Sequence, residues 1–249
     1  NLKIIPRDSG SDDKEQLNIA IKEIIEAGAK IIIGPTDFSL NSELNKYKDI
    51  IFISLSNRQP KINSNVINIG ISLESQLKAI GDFISKEKKK KTVIMYPKNE
   101  YESFIDKKIN SSQLKNFKVF KYSSDPKVLT GEIEKLTNYR ERKRNLEIRK
   151  KMLKEKDDEK SKREFNKLDQ LYTLGKVKFD SVIVIDFGNN LKSVLTSLAF
   201  SDVDDKDVLF TTVNQWFDES LFYGNTVKNL YFPSVNQKQF KKYNDNYFK

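Results

Sequence analysis

The feature that most constrains the fold is a regular alternation between buried-strand patterns and helical patterns. Residues 30–35 read KIIIGP and residues 179–188 read FDSVIVIDFG, and both contain apolar runs rich in β-branched side chains. Such runs are typical of strands that are buried on both faces, as in a parallel sheet. Segments between them place apolar residues on one helical face, as at Leu17, Ile21 and Ile25. The sequence therefore predicts an α/β fold with mostly parallel sheets flanked by helices and joined by right-handed crossovers.

The chain length and one break in the pattern indicate two lobes. With 249 residues the chain can form two modest lobes or one large α/β domain. The alternation restarts after the lysine-rich sequence KEKKKK at 86–91. We therefore expect a first lobe at 1–90 and a second lobe at 91–233. The second lobe is expected to contain one long charged helical segment at 126–172.

The charge distribution argues against a nucleic-acid partner. The formal net charge is +10, which by itself would suit a polyanion. Much of this charge lies in 86–91 and in the tract 140–164, where acidic side chains are interleaved with basic ones as on a solvated helix. No nucleic-acid-binding motif accompanies these lysines and arginines. We expect a solvated helical face, with contact to a protein or an anionic surface as the alternative, and no nucleic-acid partner.

The composition excludes several classes of catalytic and metal site. The chain has no Cys and no His, which excludes cysteine nucleophiles, thiolate or imidazole metal sites and a Ser-His-Asp triad. It lacks the glycine-rich phosphate-binding patterns, and its acidic pairs Asp157-Asp158 and Asp204-Asp205 stand in polar tracts with nothing to desolvate them. No apolar run approaches the roughly 20 residues of a membrane-spanning helix. We therefore expect no catalytic residue, no metal and no cofactor.

Short polar side chains follow the strand patterns in both halves of the chain. The first half has GPTDFS after one strand and SLSN after another, and the second half has YPKNEY, IDFGNN and VNQW. In open α/β sheets, ligands bind just outside the carboxyl ends of the strands, so these strand ends are candidate ligand contacts. The alternative is that the Ser, Thr and Asn residues cap helices and form turns. The pattern alone leaves both interpretations open.

The order of these elements resembles the type I periplasmic-binding-protein fold of the leucine-binding-protein superfamily. The segments that carry the resemblance are AKIIIGPTDF, IIFISLSN, VINIGIS, LKAIGDFI and KTVIMYPKNEY. In that superfamily a strand enters a Gly-Pro loop, a second strand ends in a Ser-rich tip, and a later strand enters a Tyr-bearing loop. The resemblance implies two lobes, each with a mostly parallel sheet, and a return segment at 234–249 that rejoins the first lobe. It also implies that this sequence is truncated at both ends.

The second half of the chain resembles a narrower group, the penicillin-binding-protein activator branch (LppC-like lipoproteins) of that superfamily. That branch has a long helix ending in a TLG turn, an FDAV-like strand, a helix ending near LAFYDVD and a strand ending in a Trp-Asp pair. The matching residues here are Thr173, Leu174, Gly175, Phe179, Asp180, Leu198, Ala199, Phe200, Asp202, Val203, Asp204, Trp216 and Asp218. The resemblance implies a non-catalytic cell-envelope regulator of peptidoglycan synthesis, with a peptidoglycan synthase as its partner.

The wider superfamily implies an alternative, a periplasmic receptor that feeds an amino acid such as leucine, isoleucine or valine to an ABC transporter. In such receptors one lobe holds the ligand carboxylate through hydroxyl and backbone N–H groups, and an acid of the other lobe meets the ammonium. By position, the candidate ligand-binding residues are Thr36, Ser39, Ser54, Ser56, Asn57, Tyr101, Asp186, Asn189, Asn190, Asn214, Gln215 and Trp216. One departure weakens this alternative, since Glu102 replaces the Gly that usually follows the second-lobe Tyr.

The resemblance also implies where such a protein acts. Both branches are periplasmic, and the activator branch carries a lipid at its N-terminus. A lipid anchor upstream of this segment would attach it to the outer membrane. The sequence begins with NLKIIPRD, which has no basic n-region and no cleavage pattern. We interpret it as a piece of a longer periplasmic protein, with the anchor as an open point.

Overall fold

The computed structural model describes residues 3–10, 13–34, 44–54, 65–69, 71–112, 114–156, 158–214 and 228–247. Within these ranges the chain contains both helices and strands. In chain order the elements are α1 (Lys14–Glu26), β1 (Ile31–Ile33), β2 (Ile51–Ser54), β3 (Val66–Asn68), α2 (Leu73–Lys86), β4 (Thr92–Pro97), α3 (Glu102–Ser111), β5 (Phe117–Tyr122), α4 (Pro126–Leu136), α5 (Tyr139–Lys154), α6 (Glu159–Asp169), β6 (Ser181–Val184), α7 (Gly188–Phe200), β7 (Leu209–Thr212), β8 (Leu230–Tyr231) and α8 (Gln237–Tyr247). The strand pairs among them are parallel. The predicted α/β class, with parallel sheets flanked by helices, is confirmed.

The first compact unit, Asn1–Ser75, holds a three-stranded sheet in the order β1-β2-β3. The register of β1 on β2 places Ile32 beside Phe52. Both side chains enter a core with Leu17 and Ile21 of α1. The helical spacing of apolar residues in α1 therefore covers one face of this sheet, as expected for an amphipathic helix.

The opposite face of the same sheet differs from the prediction of strands buried on both faces. Ile31 and Ile33 are 58% and 71% exposed, and Ile51 and Ile67 on the neighbouring strands are also exposed. Alternate residues of a strand point to opposite faces, so the residues between the core positions point away from α1. An apolar run alone does not distinguish a strand packed on both faces from one packed on a single face.

The second compact unit, Gln76–Lys249, holds a five-stranded sheet in the order β5-β4-β6-β7-β8. Its strands β4, β6 and β7 are buried along their whole length, as their apolar runs predict. On one face, Met95 and Val184 share a core with Ile133 of α4 and Val194 of α7. A closely packed core therefore fixes the strand ends that the polar residues follow.

The chain divides between residues 75 and 76, whereas the predicted lobe boundary lies between 90 and 91. Helix α2 accounts for the difference because its side chains contact the second sheet. The rings of Phe83 and Tyr231 have their centroids 5.0 Å apart, and Gln76 Oε1 accepts the N–H of Asn214 at 2.7 Å. The full extent of the two lobes, including the return of 234–249 to the first, stays a prediction.

The charged segment at 126–172 is helical, but it forms three helices rather than one. Helix α4 ends at Leu136, and the chain turns at Asn138, which has a left-handed φ of 52°. Helix α6 begins after Asp158, whose carboxylate accepts the N–H of Ser161 at 2.8 Å. Asn adopts the left-handed conformation more readily than most residues, and Asp is a favoured cap, so both breaks are local.

Two glycines of this part of the chain provide a matched test of its backbone. Gly131 lies inside α4, and nothing is within 4 Å of the position that a Cβ would take. Gly175 is equally open but has a φ of +86°. We expect Gly131→Ala to raise the free energy of unfolding by about 0.5–1 kcal/mol and Gly175→Ala to lower it by about 1–2 kcal/mol. Urea unfolding measures both changes, and effects of the same sign would contradict these backbone conformations.

Candidate functional site

The polar strand ends of the second half of the chain lie along one edge of the five-stranded sheet. Because the strands are parallel, β4, β5, β6 and β7 end on the same side, at Pro97, Tyr122, Val184 and Thr212. Ligands of open α/β sheets bind at this side. We call it the carboxyl edge, and it is the candidate functional site.

Asp186 is the central acid of the carboxyl edge. It follows β6 and is 8% exposed. Tyr122 donates its hydroxyl to Oδ2 at 2.6 Å, the Phe187 N–H donates to Oδ1 at 2.8 Å, and the Asn190 side chain also hydrogen-bonds the carboxylate. Burial raises the pKa of Asp186, and these three hydrogen bonds only partly offset the rise. The carboxylate is thus held by the end of β5 and by the first turn of α7.

Tyr122 is a residue of the carboxyl edge that the sequence does not single out. It ends β5 with its ring in the core and its hydroxyl on Asp186. Burial, together with the neighbouring negative charge, raises the pKa of the Tyr122 hydroxyl well above its usual range. The hydroxyl therefore stays protonated and remains a donor. The sequence FKVFKY marks a strand, but no local signal shows that the order β5-β4-β6 brings this tyrosine to Asp186.

A second polar cluster, which no local sequence pattern indicates, lies where β4 and β5 end. Lys98 Nζ donates to Glu132 Oε1 at 2.8 Å, and the Ser123 N–H donates to Oε2 at 2.7 Å. Burial acts to raise the pKa of Glu132, but the hydrogen bonds from Lys98 and Ser123 outweigh it and hold the pKa below its usual value. Because Glu132 belongs to α4, this cluster ties that helix to the carboxyl edge.

The other predicted residues of the second half that the structure describes stand at the same edge. Asn189 and Asn190 are exposed in the first turn of α7. Tyr101 immediately precedes α3 and is 41% exposed. Asn214 follows β7 and donates its N–H to a side chain of α2. The structure joins Asn190 to Asp186 by a hydrogen bond and places Tyr101 and Asn214 beside the ends of other strands.

Of the candidates from the first half, the structure describes Ser54. It ends β2, is fully buried, and its carbonyl accepts the N–H of Ile69 at 3.0 Å. Six candidates lie outside the described residues, namely Thr36, Ser39, Ser56, Asn57, Gln215 and Trp216. That the two sets of residues contact one ligand stays a prediction.

The carboxyl edge offers hydrogen bonding and one buried acid. Across the residues that the structure describes, no group of three or more His, Cys, Asp or Glu side chains could hold a metal ion. None of the described helices has the length and apolar character required to span a bilayer. A buried carboxylate beside amide groups can hold an ammonium or an amide of a ligand through hydrogen bonds.

Comparison with known proteins shows similarity at the level of structure. No family model matches the sequence, and no curated protein matches it. Among solved structures, an extracellular ligand-binding receptor from Desulfohalobium retbaense aligns with 100% of this chain and 40% of its own, at 10% identity and a TM-score of 0.50. At that identity the similarity shows a shared fold, in agreement with the fold that the sequence predicts.

Two further solved structures have slightly lower scores. The C-domain of LpoA from Haemophilus influenzae, described as a regulator of PBP1A, is 10% identical over 91% of this chain and 64% of its own, with a TM-score of 0.49. LivJ from Streptococcus pneumoniae, the substrate-binding protein of a branched-chain amino acid transporter in complex with isoleucine, is 13% identical over 96% of this chain and 63% of its own, with a TM-score of 0.49. This chain spans less than two thirds of the length of each of these solved proteins.

Proposed function

We propose that this chain is a non-catalytic cell-envelope module that regulates peptidoglycan synthesis by binding a synthase. The observation that carries the proposal is the connection between β5 and β6, which contains three helices. The proposal includes a periplasmic location and a lipid anchor encoded upstream of this segment. It includes no catalytic residue, no cofactor and no nucleic acid. It rests on the chain's own features and on the resemblance of its second half to the activator branch.

The connection between β5 and β6 has two parts with different roles. Helix α4 is the crossover helix, since Leu129 and Ile133 share a core with Val194 and Leu198 of α7. A parallel connection needs a dozen or more residues, usually forming one helix. Helices α5 and α6 are therefore additional to the crossover, and they pack against each other. We call this pair the helical hairpin.

Side-chain contacts hold the helical hairpin together. Arg149 Nη2 lies 2.7 Å from Glu164 Oε1, and Lys154 Nζ lies 5.1 Å from the centroid of the Phe165 ring. Leu146 is buried on the inner side of α5. Exposed ion pairs each contribute little, so the buried apolar contacts and the sum of these pairs maintain the hairpin. It is a folded part of the second unit with an outer face available for contacts.

The outer face of α5 combines apolar and basic side chains. Arg144, Ile148, Lys151 and Met152 follow the i, i+4, i+7, i+8 spacing of one helix face. Ile148 and Met152 are 44% and 53% exposed. Arg144 and Lys151 form no ion pair with any residue that the structure describes. Exposed apolar side chains flanked by cations suit a partner with an apolar centre and an acidic rim. We call these four residues the α5 face.

A protein partner suits the α5 face better than a small ligand does. Small-molecule sites are concave, whereas the outer face of a helix is convex. The cations Arg144 and Lys151 also attract acidic groups of a partner, because opposite charges steer the encounter. We infer that the synthase contacts the α5 face through an acidic patch.

The test is binding of the purified chain to a class A penicillin-binding protein from the same organism, measured by biolayer interferometry. The double variant Ile148→Glu, Lys151→Glu makes the α5 face acidic. We expect it to weaken binding by at least about tenfold, because it places carboxylates against an acidic patch. The matched control Lys127→Glu, Val128→Glu changes the same kinds of exposed side chain on α4 and should remain within about twofold of the parent.

The receptor alternative has one structural observation in its favour, the buried acid Asp186 at the carboxyl edge. A thermal-shift screen with leucine, isoleucine and valine tests it in parallel. A saturable shift that Asp186→Asn abolishes, together with no synthase binding, would replace the regulator by a receptor. Equal losses of synthase binding in the two double variants would instead reject the α5 face as the contact.

A further inference from the structure

The amino ends of β4 and β5 border a cavity that is separate from the carboxyl edge. It has a volume of about 610 Å³ and is lined by α2, by the loop from α2 to β4 and by residues 114–116. Thr92 begins β4 and Asn116 immediately precedes β5. The cavity therefore lies at the amino ends of these strands, at the opposite end from the carboxyl edge that holds Asp186. Its volume is in the range of small-molecule sites. We call it the lysine pocket because four of its lining residues are lysines.

The four lysines come from three segments of the chain. Lys78 belongs to α2, Lys89 and Lys90 to the loop that follows α2, and Lys115 to the segment before β5. The lining contains one acidic side chain, Asp82. None of the four ammonium groups pairs with a carboxylate within the described ranges. Lys89 Nζ donates to the backbone carbonyl of Asp207 at 3.4 Å. A cavity with this excess of positive charge attracts anions.

The loop that carries two of these lysines is fixed to the sheet. The N–H groups of Lys90 and Lys91 donate to the Asp180 carboxylate at 2.9 and 2.8 Å. The Lys89 N–H closes the end of α2 by donating to the carbonyl of Ile84 at 3.1 Å. The backbone positions of Lys89 and Lys90 are therefore set before a ligand arrives, which lowers the ordering cost of binding.

The third segment approaches α2 closely. A Cβ at Gly81 would stand 2.7 Å from Leu114 Cδ2, so the glycine permits this contact. Lys115 follows Leu114 directly and thereby reaches the pocket. Cations at the end of a helix interact favourably with its dipole, which accounts for the lysines after α2. That effect does not account for Lys78 inside the helix or for Lys115 on another segment.

We propose that the lysine pocket binds a compact polyanion, with a diphosphate group as the best fit. Lysine ammonium groups act as point charges that bind phosphate oxygens. Several of them around one cavity match two adjacent phosphates, whereas a single carboxylate would leave most of the positive charge uncompensated. A soluble ligand and a lipid headgroup can both supply that group. The lysine pocket shares no residue with the α5 face, so the test of this proposal is independent of the test of the synthase contact.

Isothermal titration with inorganic pyrophosphate at low salt tests the lysine pocket. We expect saturable binding, and we expect Lys89→Gln, Lys115→Gln to weaken it by at least about tenfold. The matched control Lys143→Gln, Lys160→Gln removes the same charge from the helical hairpin and should change the affinity by less than about twofold. Unchanged thermal unfolding midpoints establish that both variants fold. No saturable binding to the parent chain, or equal weakening in both variants, would overturn the proposal.

Vesicles of phosphatidylcholine that contain diacylglycerol pyrophosphate distinguish the two sources of the diphosphate. Binding that pyrophosphate displaces and that the pocket variant loses assigns the pocket to a lipid headgroup. Pyrophosphate binding without vesicle binding assigns it to a soluble ligand. Vesicle binding that is equal in the pocket variant and the control, together with no pyrophosphate binding, would show general charge attraction and overturn the proposal.

Discussion

Replacing Arg142 by alanine is expected to lower the free energy of unfolding by about 3–5 kcal/mol. Arg142 lies on α5 but is buried. Its guanidinium donates to the carbonyls of Gly175 at 3.1 Å, Ser201 at 3.2 Å and Asp202 at 3.1 Å. The alanine variant leaves the buried Ser201 carbonyl and the part-buried Gly175 and Asp202 carbonyls without that donor, and an unmade buried hydrogen bond costs more than a made one contributes.

The location of these carbonyls explains the size of the effect. Two of them stand at the end of α7, where unpaired carbonyls and the helix dipole both favour a cation. The third belongs to the turn after α6, so Arg142 joins three parts of the second unit. Burial lowers the pKa of the Arg142 guanidinium, but an arginine remains charged in proteins. A lysine cannot present three donors in a planar fork, so Arg142→Lys should restore part of the loss.

Arg140→Ala is the matched control, two positions earlier on the same helix. The Arg140 side chain is 86% exposed and pairs with Glu134 at 2.7 Å. Exposed ion pairs contribute about 0–1 kcal/mol, so this change should cost no more than that. Urea unfolding followed by circular dichroism measures both variants. A loss for Arg142→Ala no larger than that for Arg140→Ala would contradict the buried network.

Much of the fold could be predicted because it depends on neighbours along the chain. Strands β4 and β6 lie inside the apolar runs that indicate them. Helix α1 begins after Asp13 because that carboxylate accepts the N–H groups of Glu15 and Gln16. Patterns of this kind need only a few consecutive residues, and the parallel topology follows from their alternation.

Features that depend on distant residues could not be predicted in the same way. Arg142 belongs to a tract with the composition of a solvated basic helix, yet it is buried against residues 33, 59 and 60 positions away. The TLG turn was identified by resemblance, but its contact with Arg142 is visible only in the structure. The exposed side chains of Ile31 and Ile33 are a further case, since their apolar character alone predicts burial.

The candidate site also combines residues that a local pattern predicts with residues that only the topology brings together. Asp186 and Asn190 were predicted because they follow a buried strand, which is a local signal. Tyr122 and Glu132 cannot be predicted in this way, because a strand end and a crossover helix converge on the carboxyl edge through the topology of the sheet. The Tyr122 hydroxyl donates to Asp186, which lies 64 positions further along the chain, and no sequence spacing predicts a contact over that separation.

Replacing Tyr122 by phenylalanine is expected to lower the free energy of unfolding by about 1.5–3 kcal/mol near neutral pH. The change keeps the ring in the core and removes the hydroxyl that donates to Asp186 at 2.6 Å. Hydrogen bonds to a charged group contribute more than those between neutral groups, so the loss depends on whether Asp186 is ionised. We therefore expect a smaller loss in acid.

The sign of this pH dependence follows from the pKa of Asp186. Burial raises that pKa in the folded state, so stability falls as pH rises from the unfolded-state pKa through the folded-state pKa. The hydrogen bond from Tyr122 lowers the folded-state pKa and offsets part of this fall. Without the hydroxyl the pKa rises further. The difference between parent and variant therefore grows above the folded-state pKa and shrinks below it.

Asp186→Asn completes a double-mutant cycle that isolates the charge. Asparagine keeps the shape of Asp186 but cannot ionise, so Tyr122→Phe in this background should cost about 1 kcal/mol or less, equally at acidic and neutral pH. Urea unfolding of the four proteins at two pH values gives the coupling. If Tyr122→Phe in the parent background cost the same at both pH values, the hydroxyl would not be serving an ionised carboxylate. Asp186 would then be a poor candidate for the acid that meets a ligand ammonium, and the receptor alternative would lose its structural support.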